Sequence, residues 1–135
     1  MNGVVALRSV LIADAALTAL VPATRIAAGV MPQGTALPAI SLTSVSTVDR
    51  NMPNPGTYRH VSERVQATVL AADYPTQKAI LKAVKKAAAD KIHPTVSGLS
   101  AVTIHTESGG PDFMDEAAAI YIGSIDFRVT FSEAR

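Results

Sequence analysis

Residues 61–89 read VSERVQATVLAADYPTQKAILKAVKKAAA, and within them the apolar period changes from two to about three and a half across Asp73-Tyr74-Pro75-Thr76. A strand therefore feeds directly into a helix. In the first half Val61, Val65, Ala67, Val69 and Ala71 share one face, Ser62, Arg64, Gln66 and Thr68 the other, and only Glu63 breaks the alternation. Asp73 or Thr76 caps the helix start and Pro75 suits its first turn. Gln77, Ile80, Leu81, Val84 and Ala88 then form one stripe, opposite Lys78, Lys82, Lys85 and Lys86. The unit supplies a sheet and a helix to cover it, with no reactive chemistry, and so points toward assembly.

Upstream, the apolar run Val4 to Val21 is interrupted by Arg8, Ser9, Asp14 and Thr18, which fits neither a signal peptide nor a membrane span. Its apolar positions cover more than half of a helical circumference, the pattern of a helix buried on more than one side, either in its own core or partly under a neighbouring subunit. Asp14 starts a second short helix, so the spacing predicts one helix to Ala13 and another to about Leu20, ended by Pro22. Arg25 to Val30 is a short strand candidate, and Pro32-Gln33-Gly34 is a turn signal. Leu37 to Ser46 reads as a strand with Ile40 and Leu42 toward the core, Pro38 marking its beginning.

The segment Thr47 to His60, TVDRNMPNPGTYRH, lacks a period and is expected to be a loop or a long hairpin tip. After the opening strand and helix, Ile92-His93-Pro94 is a stop and Leu99 to Thr106 a strand. Glu107 to Asp112 is a flexible connection, and Ala117 to Phe131 forms the last strand, with Ile125, Phe127, Val129 and Phe131 inward and Asp126, Arg128 and Thr130 outward. Residues Ser132 to Arg135 are expected to be mobile. The fold class is thus α+β: a mixed, mainly antiparallel sheet of about four to five strands with an N-terminal helix and one long helix packed on it. Residues 1–135 form one domain by size.

Composition limits what such a domain does. Three Phe, three Tyr and no Trp leave a core of Ala, Val, Ile and Leu, which bury less area per residue, so association with copies of itself would add stability. Twelve basic and 11 acidic residues give a net charge of +1, without a whole-chain field for nucleic acid. The absence of cysteine excludes disulfides, thiol nucleophiles and cysteine-ligated zinc.

The remaining routes to chemistry are thin. No glycine spacing matches a phosphate loop, and His60, His93 and His105 form no i, i+4 metal pair. Ser97-Gly98 and Ser108-Gly109 lack the frame of a nucleophile elbow. Asp112, Asp115 and Glu116 cluster, but such a cluster is far more often a turn or helix start than an acid–base pair. The lysine row reads as a solvated face rather than a phosphate-binding one, since it has neither an Arg cluster nor interleaved aromatics. No catalytic, cofactor or metal residues are expected.

The collinear series LRSVLIADAALTALV, RI, MPQGTALPAISLTSVS, ERVQATVLAADY, a lysine-rich helix and a closing IDFRVTF resembles the tail-completion or tail-terminator proteins of long-tailed bacteriophages and prophages. Arg25-Ile26, Pro32-Gln33-Gly34, Leu37-Pro38, Arg64-Val65-Gln66 and Asp126-Phe127-Arg128 match best; the loop after Ser46 and the tail after Phe131 match least. The resemblance implies a non-enzymatic ring, typically a hexamer, at the head-proximal end of the tail tube, in the virion tail or neck and assembled in the bacterial cytoplasm. Such a ring stops tube polymerisation and joins tail to head. Its partners would be copies of itself, the tube protein and a neck or connector protein, with DNA only passing through the lumen and no membrane contact. Candidate partner-contact residues are Asp49, Arg50, Asn51, Tyr58, Arg59 and His60; candidate subunit-interface residues are Arg64, Gln66, Asp126 and Arg128. A head–tail adaptor elsewhere in the neck is the alternative, and a small hydrolase using His60 or His105 with a loop serine is a third reading.

Overall fold

The computed structural model describes residues 2–29, 32, 34 and 36–135. Val30 and Gln33, which belong to the expected short strand and the turn after it, lie outside them. The chain opens with helix α1 (Asn2–Ile12) and helix α2 (Ala15–Leu20). Asp14 caps α2, its carboxylate accepting from the Leu17 N–H at 2.9 Å, the bond that ends one helix and begins the next. A 3-10 turn (Ala23–Arg25) leads into strand β1 (Ile26–Ala28), and Arg8 Nε donates to the Ile26 carbonyl at 2.8 Å, tying α1 to this edge.

Strands β2 (Ala39–Arg50) and β3 (Tyr58–Ala71) form a long antiparallel hairpin, followed by helix α3 (Tyr74–Ala88). Asp73 rather than Thr76 supplies the cap of α3, its carboxylate accepting from the Thr76 N–H at 2.8 Å, with Pro75 in the first turn. Short β4 (Lys91–Ile92), β5 (Ser100–Gly109), short β6 (Phe113–Asp115) and β7 (Ile120–Ala134) complete the molecule.

The sheet order is β1-β2-β3-β7-β5-β4, with β6 pairing the start of β7. Among the described residues only β1–β2 is parallel. The α+β class, the mainly antiparallel sheet and both helices thus agree with the sequence; the described residues form seven strands because three very short strands join four long ones. The helices cover one face. Val61, Val65, Ala67, Val69 and Ala71 of β3 and Ile125, Phe127, Val129 and Phe131 of β7 are buried there against Leu7 and Leu11 of α1 and Ile80 and Val84 of α3. Phe127 and Phe131 each contribute about 2–3 kcal/mol of burial to a core that is otherwise aliphatic.

Four expectations are corrected by strand pairing. Thr47 to Arg50 and Tyr58 to His60 are strand, not loop, because the β2–β3 ladder continues to Arg50 opposite His60; only residues 51–57 form the tip. Glu107 to Gly109 belong to β5, in register with β7 beyond a bulge between Thr106 and Ser108. Residues 116–119 are a turn, so β7 starts at Ile120. Ser132 to Ala134 are held in β7 opposite Tyr58 to His60, and the Arg135 N–H donates to the Thr57 carbonyl at 2.9 Å, so the terminal residues are tied to the hairpin.

Glu63 keeps its place on the core face. It is wholly buried beneath the start of α1, where its Oε1 accepts from the Gly3 N–H at 3.3 Å. A carboxylate there meets the unpaired N–H groups and positive end of the helix, which accounts for an acid in an otherwise aliphatic row.

Candidate assembly surfaces

The expected interface residues fall into two groups, each brought together by strand register. Asp49 and Arg50 end β2, Asn51 begins the tip, and Tyr58, Arg59 and His60 begin β3, so all six gather at one end of the sheet. Arg59 Nη1 lies 3.4 Å from Asp49 Oδ2, an exposed pair of small energetic weight. The C-terminal end of β7 lies alongside as a third strand, with Glu133 opposite Arg59. Local sequence carried no signal for this contact, since it joins residues more than seventy positions apart.

Arg64, Gln66, Asp126 and Arg128 meet on the face away from the helices, with Arg64 opposite Arg128 and Gln66 opposite Asp126. Two arginines directly across a ladder repel each other unless each finds an acid. Arg64 Nε donates to Asp126 Oδ2 at 2.8 Å, and Arg128 makes a two-pronged contact with Glu107, Nε to Oε2 at 3.0 Å and Nη2 to Oε1 at 2.9 Å. Ser62 and Ser108 accept further guanidinium hydrogen bonds at 3.3 Å. Asp126 is only 4% exposed, and Arg64 is the cation that pairs with it. The Arg128 guanidinium holds the Glu107 carboxyl below its usual range, and Glu107 raises Arg128 in return. Sequence reasoning missed Glu107 and Ser108 because they read as connection; extending the alternation of β5 past Thr106 reaches Glu107, whereas Ser108 joins the same face only through the bulge after Thr106.

The remaining polar candidates have local partners. His105 Nδ1 lies 2.9 Å from Asp90 Oδ1, His60 is at the hairpin and His93 in the turn after β4, so the three imidazoles lie apart. Asp115 Oδ1 accepts from the Ala117 N–H at 3.1 Å and the Ala118 N–H at 3.4 Å, a turn-forming role. Asp112 accepts from Tyr74 Oη at 3.1 Å and from Lys78 Nζ, which lowers the carboxyl and raises the lysine. Among the described residues no three His, Asp or Glu side chains group as a metal site, and no helix is long and apolar enough to cross a membrane.

These extended surfaces, built from strand ends and a helix-free sheet face, fit the family match. The family model for tail completion protein gp17 matches residues 5–132. The chain belongs to the tail completion protein gp17 family. It is accordingly a structural, tail-completing component of a bacteriophage-type virion. No curated protein matches. Among solved structures, a chain from the virion of a native gene transfer agent particle superposes with a TM-score of 0.72 at 22% identity, over 93% of this chain and 91% of that one. At that identity the likeness establishes the shared fold, which agrees with the family.

Proposed function

We propose that this tail completion protein closes into a ring, a hexamer, at the head-proximal end of the tail tube, stops tube polymerisation there and joins the tail to the neck or head without enzymatic activity. The observation that carries this reading is that, among the described residues, both edges of the sheet are only partly capped. Among the described residues β1 covers β2 from Ile40 to Leu42, and β4 covers β5 at Thr103 and Ile104, with the His93 N–H adding a bond to the Val102 carbonyl. Beyond those points β2 presents Ser44 to Arg50, with Val45 and Val48 about half exposed, and β5 presents exposed residues from His105 to Gly109. Bare edges of this length invite pairing, and a head-to-tail contact between two different edges generates a closed ring when the rotation matches.

In this reading Arg64, Gln66, Asp126 and Arg128 meet the neighbouring subunit from the open face. Asp49, Arg50, Asn51, Tyr58, Arg59 and His60 meet the tube or connector at the hairpin end, and the lysine row of α3 points away from a bore through which DNA passes. Light scattering and electron microscopy of the purified protein test it. Rings of uniform order, and tails that grow past their normal length when the protein is removed, are expected. A monomer at all concentrations, or tubes of unchanged length, would refute the ring or the terminating role. Density elsewhere in the neck would favour the head–tail adaptor.

A further inference from the structure

Of the six aromatic residues only Phe127 and Phe131 are buried in the core, whereas Tyr74, Phe113 and Tyr121 meet at the surface around a concavity of about 200 Å³ completed by Met114 and Asp112. Phe113 is 56% and Met114 42% exposed. The Tyr74 and Tyr121 rings are set edge to face at 6.2 Å. On the other side of Asp112 a second open concavity, of about 440 Å³, runs between α3 and Gly109-Gly110, with Leu81 and Ile125 on its floor and Lys78, Lys82 and Lys85 on its rim. The two make one groove along the flank of α3. Asp112 occupies Lys78, whose ammonium also sits 5.3 Å from the Tyr74 ring centre. Lys82 and Lys85 are exposed and have no acidic partner within ion-pair distance among the described residues.

We propose that this groove docks an acidic segment of another protein of the assembled particle, which inserts an apolar side chain between Leu81 and Phe113 while its carboxylates face Lys82 and Lys85. The inference rests on the tail-completion reading only in taking the partner from the same particle. Charge decides the sign of the occupant: the rim offers two uncommitted cations and its one acid is already bound to Lys78. The floor decides its class. Duplex DNA would satisfy the lysines with phosphates but would leave Leu81, Ile125 and the aromatic cluster against water or charge. A protein segment with alternating acidic and apolar residues uses both, and surface aromatic clusters of this kind anchor protein interfaces.

Site-specific photocross-linking tests this with the full chain. Phe113→p-benzoylphenylalanine places a reactive group in the groove while leaving the lysines intact, and particles produced with this variant are irradiated and the linked peptide sequenced. An acidic peptide with an apolar residue at or beside the linkage is expected, and Lys82→Glu/Lys85→Glu should lower the yield by about tenfold at an unchanged melting temperature. A neutral or basic linked peptide, linkage to DNA, an unlinked groove in particles that contain the protein, or a yield indifferent to the charge reversal would each overturn the proposal. Absence of the protein from purified particles would overturn the tail-completion reading as well, so the two failures are told apart.

Discussion

Glu63 Oε1 and the Gly3 N–H are joined at 3.3 Å beneath the first turn of α1, although sixty residues separate them. A methyl group on Gly3 would approach Glu63 Cδ to 2.7 Å, closer than carbon atoms tolerate, so the glycine is what lets helix and carboxylate meet. Gly3→Ala is expected to destabilise by about 1–3 kcal/mol, roughly 3–10 °C in melting temperature. Gly3→Ala/Glu63→Ala should lose less than the sum of the single changes, measured by thermal denaturation in a double-mutant cycle. Additive losses would mean that the two residues do not act through each other.

Gln77 lies at the opposite extreme. It is wholly buried on α3 against Gly123, where a Cβ would come within 2.7 Å of its Nε2, and neither amide atom has a hydrogen-bond partner among the described residues. A buried amide without partners costs more than a thioether of the same length. Gln77→Met is therefore expected to raise stability by about 1–2 kcal/mol, read from urea denaturation at constant slope. A loss of stability would count against this account.

The open-face network is asymmetric in its exposure, and its variants should be too. Asp126 is buried while Arg64 is more than a third exposed. Removing Arg64 strands a buried carboxylate, so Arg64→Ala should cost about 2–3 kcal/mol, more than Asp126→Asn, which leaves a solvated cation. Chemical denaturation of both variants beside the parent decides the order.

Acid should weaken the fold through three named carboxylates. Thr76 lowers Asp73, Arg128 lowers Glu107 and Lys78 lowers Asp112. A depressed carboxylate contributes stability that is present above its unfolded value and lost as pH falls through its folded one, so the loss begins below about pH 4. Lys78 is raised, so its contribution is intact at lower pH and disappears only as pH climbs past the ordinary lysine range. Combining Asp73→Asn, Glu107→Gln and Asp112→Asn should flatten the acid limb of melting temperature against pH. An unchanged limb would assign the acid sensitivity elsewhere.

The hairpin tip is separable from the core. Residues 51–57 are exposed and β3 is held by β7 independently of them. Replacing 51–57 with Asn-Gly should leave the melting temperature within about 2 °C while lowering tail joining, scored by counting headless tails in electron micrographs. Normal joining would remove Asn51 from the partner-contact set.

Local signals carried the parts of this molecule that local physics determines. The period change at Asp73, the cap at Asp14 and the inward row from Ile125 to Phe131 all depend on residues close in sequence, and each was readable. The strand ends were not, because Glu107 to Gly109 and Ser132 to Ala134 become strand only when β7 is hydrogen-bonded on the appropriate side. The same applies to Glu63, whose burial follows from where α1 lands, and to the Lys78–Asp112 and Arg128–Glu107 pairs, which span connections of unreadable length. Arg64, Gln66, Asp126 and Arg128 share the open face because β3 and β7 are in register there, while Glu107, the acid that pairs with Arg128, was hidden in an apparent loop.

β7 is last in chain order yet lies between β3 and β5. The two strands that precede it on either side of α3 must therefore leave a slot one strand wide and wait for it. Such an order of events depends on distant parts of the chain finding one another, which makes folding slow. Until the slot is filled, the aliphatic inner rows and both of its rims are open to the wrong partner, including the same strands of another copy. Correct self-recognition in the finished particle thus presupposes that self-recognition is avoided for as long as β7 is unplaced.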